Sequence, residues 1–161
     1  DFLETGGGLK KAASLLGDQQ PFFVCNVDVL TDLDPWELLA RHEKEGAMAT
    51  LAVRTRETSR YLLFDEQDRL RGWRNVKTGA VRGNPPAEVR QMAFSGLHII
   101  DPAIFAFMPE GAFSIIDTYL ELMDTHKIIG VSHDKGLWLD VGKPPELAMA
   151  KDLLPKVLPQ V

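Results

Sequence analysis

Three stretches of this chain are apolar almost without a break: "PFFVCNVDVL" (21–30), "AMATLAV" (47–53) and "QMAFSGLHIID" (91–101). A strand with one face in water alternates apolar and polar residues, whereas runs this continuous are expected of strands buried on both faces, as in a parallel sheet covered by helices. Between the first two runs lies "TDLDPWELLARHEKEG". It offers Asp34 as a cap, Pro35 at the first helical position, Glu37 at the third and Gly46 as a stop, so a helix is predicted over about 35–45. Strand, helix and strand in that order make a right-handed βαβ crossover, and the chain is therefore expected to be an α/β protein.

The remaining segments fill in the layers. "RYLLFDEQDRLRGW" sets apolar residues on either side of a polar turn and predicts a β-hairpin. Residues 74–86, polar and rich in glycine and proline, read as a loop, either on the ligand side or as a surface excursion. "SIIDTYLELMDTH" opens with a capping box, Ser114 to Asp117, and carries a wide apolar helical face. "KIIGVSHDKGLWLDVG" reads as two short strands about a turn, and "KPPELAMAKDLL" as a closing helix. There is no internal repeat and no hexapeptide β-helix pattern. A net charge of −5 argues against a nucleic-acid polymer or an anionic membrane as partner, and no apolar run approaches spanning length. The single cysteine, Cys25, forms no internal disulfide, which makes a reducing cytoplasm the expected compartment.

Near the start, "FLETGGGLKKAASLLGD" runs three glycines into a helical pattern set by Leu9, Ala12, Ala13 and Leu16 and stopped by Gly17. Gly6, Gly7 and Gly8 thus lie at or beside a helix N-terminus. Two readings stay open: plain turn chemistry, or close approach of a ligand to bare backbone and free N–H groups. The spacing is not that of a P-loop. Two carboxylates, Asp28 and Asp140, each end an apolar strand. In open α/β sheets ligands collect beyond the carboxyl ends of strands, where a pair of carboxylates suits Mg²⁺; the alternative for each is a turn or cap carboxylate. His98 reads as a hydrogen-bonded core histidine. The contiguous Ser132-His133-Asp134 is no triad by sequence alone. Trp73 and Trp138 are read as packing residues, Trp138 lying near Asp140.

Taken in order, "LETGGGLKKAASLLGDQQPFFVCNVDVL", "AFSGLHIID" and "LWLDVGKPPELAMAK" resemble successive landmarks of the sugar-1-phosphate nucleotidylyltransferases, the nucleotide-sugar pyrophosphorylases. The forms most similar are the uridylyltransferases acting on N-acetylmuramate 1-phosphate and the mannose-1-phosphate guanylyltransferases. The resemblance covers most of the chain and is weakest over 55–90. It implies a Rossmann-like three-layer sandwich about a mixed, mainly parallel sheet, and an activity that joins a nucleoside triphosphate to a sugar 1-phosphate with release of pyrophosphate. It further implies that Glu4, Thr5, Gly6, Gly7 and Gly8 wall the nucleobase, with Asn26 beside them, and that Asp28 and Asp140 ligate Mg²⁺. Ser95 and Gly96 would line the sugar pocket, and Asn75 would touch the sugar phosphate. "ETGGG" favours UTP over GTP. The family's first strand, its Gly-x-Gly-x-Arg-x-x-Pro loop and the lysine that follows are not among these 161 residues. The expectation is therefore a single nucleotidyltransferase domain lacking its N-terminal strands, without a C-terminal β-helix. Such a chain is expected to be inactive alone and to associate with a preceding segment or a second copy. Two rival readings are a nucleotide-sugar-dependent glycosyltransferase, whose Asp-x-Asp would need an acid where Asn26 stands, and a non-catalytic binding module.

Overall fold

The computed structural model describes residues 2–17, 19–142 and 150. In chain order the elements are α1 (Glu4–Leu16), β1 (Phe22–Cys25), β2 (Val29–Thr31), α2 (Pro35–Glu45), β3 (Ala49–Arg54), β4 (Arg60–Phe64), β5 (Leu70–Asn75), β6 (Val81–Gly83), β7 (Arg90–Ile100), a 3₁₀ turn (Pro102–Phe107), α3 (Ile115–Leu122), β8 (Ile128–Ser132) and β9 (Trp138–Asp140). Seven strands form one sheet, ordered β6-β5-β4-β7-β3-β8 with β1 also on β7; β2 and β9 form a separate ribbon. The closing helix predicted over 143–154 falls almost wholly outside the described residues.

The layers follow from which face each strand turns to which helix. On one side, Leu38 of α2 packs with Ala52, Leu97 and Ile99, and His42 bonds through Nδ1 to the Thr50 hydroxyl at 3.0 Å. On the other, Leu51, Val53, Leu62, Phe64 and Ile100 meet Ile115, Tyr119 and Leu122 of α3, with Leu9 of α1 against the same cluster. The result is the three-layer α/β sandwich about a mixed sheet that the sequence predicts. Its pairing is less parallel than expected: among the described residues only β3 and β8 run parallel, while β1, β3 and β4 all pair antiparallel with β7. The βαβ crossover exists, but β7 is inserted between its two strands, since Ile100 faces Phe22 on one side and Ala49 on the other.

That placement also corrects the reading of "PFFVCNVDVL" as one doubly buried strand. β1 stops at Cys25, its residues alternate half-buried and exposed, and Phe23 is 40% exposed. β1 pairs with β7 alone among the described strands, so one edge is open. The run 74–86 is not simply a loop: β6 makes it the third strand of a meander.

The glycine stretch is helical. α1 starts at Glu4, and two N–H groups of its first turn are satisfied: Gly6 and Gly7 both donate to the Phe113 carbonyl, at 2.9 and 3.3 Å. The absent side chains permit a close helix-to-loop contact. A Cβ on Gly6 would stand 2.3 Å from the Phe113 ring and one on Gly7 2.1 Å from the Gly111 carbonyl oxygen, whereas one on Gly8 would meet nothing within 4 Å. Gly7→Ala is therefore expected to lower stability by about 1–3 kcal/mol through overpacking. Gly8→Ala should instead leave it unchanged or raise it by up to about 1 kcal/mol, because alanine is the better helix former. Thermal unfolding of the two variants checks the difference in sign.

Candidate functional site

Phe94 and Gly96 stand where β7 breaks its ladder with β3. Two steps along β3, from Leu51 to Val53, answer four along β7, from His98 to Phe94. Gly96 has φ +80°, which favours glycine, and a Cβ there would stand 2.9 Å from the Asn26 side-chain nitrogen. Asn26, just past β1, is bound to the same point through its N–H, which donates to the Gly96 carbonyl at 2.9 Å. The bulge thus seats Asn26 at the rim of a cavity of about 760 Å³, closed by Thr5, Gly8, Leu9, Val24, Phe94, His98 and Ile116. Its walls are largely apolar. His98 is buried and hydrogen-bonded to the Tyr119 hydroxyl at 2.6 Å, and burial lowers its pKa to about 3, so it stands in the wall as a neutral ring.

Asp28 and Asp140 meet through the ribbon. Val29 lies opposite Asp140 in the β2–β9 ladder, and Val141 N–H donates to the Asp28 carbonyl at 2.7 Å. Asp28 Oδ2 and Asp140 Oδ1 both come within 3.1 Å of one point, the place a Cβ on Gly142 would take. The ribbon itself is tied down by Trp138, whose indole N–H donates to the Ser95 carbonyl at 2.8 Å, and by Asp32, which accepts from Leu137 N–H at 2.7 Å. The carboxylates thus lie near one another on a separate two-stranded ribbon and not on the edge of the central sheet, where the sequence placed them.

Next to the apolar cavity, and sharing Phe94, Ser114 and Ile116 with it, lies a second of about 340 Å³ lined by Arg56, Arg60, Arg82, Trp73 and Asp117. Arg56 was not legible as a site residue. Its guanidinium donates to the Phe94 carbonyl at 3.1 Å and lies over the Trp138 ring, 4.5 Å from the centroid. Burial lowers its pKa from the ordinary arginine value and the nearby Asp140 charge opposes that shift. The signal available was "RTRETSR", a run of arginines directly after a buried strand.

The other sequence-predicted residues are placed as follows. Thr5 and Gly8 line the apolar cavity; Thr5 also accepts from Ile115 N–H at 3.1 Å. Gly6 and Gly7 are buried against Phe113 and Gly111, and their N–H groups are spent on the Phe113 carbonyl, so they offer an anion no free helix terminus. Glu4 is exposed at φ +58° and is not part of the cavity wall. Ser95 is buried, with its hydroxyl on His133 Nε2 at 2.7 Å, and lines neither cavity. Asn75 serves its own turn, accepting from Lys77 and Thr78 N–H. His133 therefore faces Ser95, while Asp134 accepts from Thr55 and Ser132, which dissolves the contiguous Ser-His-Asp as a catalytic set.

Residues 3–156 match the family described as nucleotidyl transferase. The chain belongs to that family. The N-acetylmuramate alpha-1-phosphate uridylyltransferase of Caulobacter vibrioides is 30% identical over 151 residues, 88% of this chain and 57% of that protein. The mannose-1-phosphate guanylyltransferase catalytic subunit beta of Dictyostelium discoideum is 29% identical over 147 residues, 89% of this chain and 39% of that protein. The chain thus spans between about two fifths and three fifths of the length of those relatives. A crystal structure of a putative glucose-1-phosphate thymidylyltransferase from Bacillus anthracis shares the fold, with a TM-score of 0.74 at 15% identity over 100% of this chain and 65% of that one. No helix among the described residues is long and apolar enough to cross a membrane.

His98 provides a test of the site's interior. Its folded pKa lies below the usual unfolded value of about 6.5, so below pH 6.5 the unfolded state binds a proton that the native state refuses. Stability is then complete above pH 6.5 and falls as pH drops toward 3. His42 and His133, also lowered by burial, act in the same direction. Urea unfolding between pH 6.5 and 5, above the carboxylate range, should show this slope. His98→Gln should reduce it by up to about 1.4 kcal/mol per pH unit.

Proposed function

We propose that this chain supplies the nucleoside wall, the acidic pair and the sugar-phosphate cavity of an enzyme that transfers a nucleotidyl group from a nucleoside triphosphate to a sugar 1-phosphate. A phosphate oxygen of the sugar 1-phosphate attacks the α-phosphorus, the bond to the β-phosphate oxygen breaks, and pyrophosphate leaves. The observation that carries the reading is the meeting of Asp28 and Asp140 beside two adjoining cavities. Asn26, two residues from Asp28, rims the apolar one, and Arg56, close enough to Asp140 to feel its charge, lines the cationic one. A nucleoside fits the apolar wall and an anion the arginines.

The acidic pair fits Mg²⁺, which binds through one or two carboxylates and leaves its other positions to waters and substrate phosphates. Among the described residues no cluster of three or more histidine, cysteine or carboxylate groups is present, so phosphate oxygens and waters would complete the shell. When bound there, Mg²⁺ would offset charge on the phosphates. The chain's own groups position: Asn26 and Thr5 at the nucleoside, Arg56 at the sugar phosphate, Phe94 and Ile116 in the wall the two cavities share. We assign UTP as the preferred donor and read the enzyme as cytoplasmic.

In the full-length protein, Asp28→Asn and Asp140→Asn should each lower pyrophosphate release about a hundredfold or more, with circular dichroism unchanged. Activity within threefold of the parent in both variants would overturn the role of the pair. UTP should be used in preference to GTP; the reverse preference would reassign the base. Glu4→Ala should leave that preference intact, since Glu4 lies outside the cavity wall. The 161 residues contain no Gly-x-Gly-x-Arg-x-x-Pro loop, so this chain alone should release no pyrophosphate from UTP and sugar 1-phosphates, and turnover by it would show that the loop is dispensable.

A further inference from the structure

Ser95 lies inside the bulge of β7 and lines neither cavity, yet it is buried and both of its polar groups are spent on one short stretch, residues 133–138. Its hydroxyl meets His133 Nε2 at 2.7 Å, and its carbonyl accepts from the Trp138 indole N–H at 2.8 Å. His133 and Trp138 bracket the turn that leads into β9. The near end of that turn is fixed to β3: His133 N–H donates to the Val53 carbonyl at 3.1 Å, and the Arg54 guanidinium donates to the Asp134 and Gly136 carbonyls. The far end, Trp138, shares a face of the ribbon with Asp140, two residues on. Because β2 and β9 form a ladder of their own, the place of Asp140 beside the cavities depends on ties such as this one.

The His133 ring has little else to hold it. Its Nδ1 is buried with no hydrogen-bond partner among the described residues, so the Ser95 hydroxyl is the group that orients it. Burial, with the Arg54 charge beside it, lowers the His133 pKa from the ordinary histidine value, and the ring is neutral. A buried hydroxyl and a buried imidazole that answer one another are costly to separate, because the group left behind loses water and partner together. The bond therefore fixes the Ser95 peptide, and with it the acceptor on which Trp138 hangs.

We propose that Ser95 and His133 are positioning residues for the acidic pair: their hydrogen bond sets the Ser95 carbonyl that anchors Trp138, and so sets where Asp28 and Asp140 stand to receive a divalent cation. The inference rests on the reading of that pair as the Mg²⁺ ligands and adds what aligns them.

The test uses the full-length protein with Mn²⁺ alone as the probe, the bound fraction being read from the paramagnetic resonance signal of the free ion, at a temperature where circular dichroism shows each variant folded. Ser95→Ala and His133→Leu should each weaken Mn²⁺ binding about fivefold, the equivalent of one hydrogen bond. They should raise by a similar factor the Mg²⁺ needed for half-maximal pyrophosphate release, while the KM for UTP at saturating Mg²⁺ stays within about twofold of the parent's. His133→Gln, whose amide can reach toward the same hydroxyl, should recover most of the loss. The double variant Ser95→Ala/His133→Leu should be no weaker than either single one, since all of them break one bond. Trp138→Phe, which keeps a ring but not the indole N–H, should share the loss, and it decides with the His133 variants if Ser95→Ala does not fold. Binding unmoved in Ser95→Ala, His133→Leu and Trp138→Phe, no recovery in His133→Gln, or losses that add in the double variant would overturn the proposal; if Asp28→Asn still abolishes Mn²⁺ binding, the acidic pair stands. Mn²⁺ binding unmoved by Asp28→Asn overturns the metal role of the pair, and this proposal with it.

Discussion

One strand carries the architecture. β7 is hydrogen-bonded to β1, β3 and β4, and its ladder with β3 breaks only around Gly96. At that break a side chain on residue 96 would collide with Asn26, and the positive φ there favours glycine, while Phe94 and His98 on either side line the apolar cavity. From the same few residues the Ser95 carbonyl reaches out to Trp138 and so fixes the ribbon that holds Asp28 and Asp140. The wall of the apolar cavity and the anchoring of the acidic pair thus both depend on one local irregularity in an otherwise ordinary sheet.

Polarity is sorted by element. The apolar cavity lies between α1, β1 and the start of α3; the cationic one lies on the meander; the anionic pair lies on the ribbon. Helix N-termini contribute little free capacity. The first turn of α1 donates to Phe113, and the first N–H groups of α3 go to Thr5 and Ser114. The charge along the second cavity is carried by side chains, chiefly arginines, whose guanidinium groups stay protonated despite partial burial.

Much of this was legible in the sequence, for physical reasons that differ by segment. The cap at Asp34, the proline at helix position one and the left-handed Gly46 mark α2 within a residue, because each solves a local hydrogen-bonding problem. The hairpin around 65–69 was equally local. Strand partners were not: continuous apolarity tells that "AMATLAV" is buried, but not that a strand from residues 90–100 is its neighbour. The same limit governs the glycines. Gly6 and Gly7 are bare because Phe113 and Gly111, more than a hundred residues on, press against them, while Gly8 alone of the three faces the cavity. Asp28 and Asp140 stand out in the sequence because both end apolar runs. Arg56 was missed because nothing in its flanking residues announces that Phe94 and Trp138 will hold it.

The ribbon has a mechanical consequence. β2 and β9 are three residues each, stand apart from the central sheet, and carry the two carboxylates at one end of the same short ladder. A tilt of the ribbon about its Trp138 anchor would displace both acids together, changing their height over the cavities while conserving the gap between them. Because both acids sit on one short ladder held through Trp138 and Asp32, a change at either anchor reaches the two carboxylates together, while the seven-stranded sheet beneath them stays as it is.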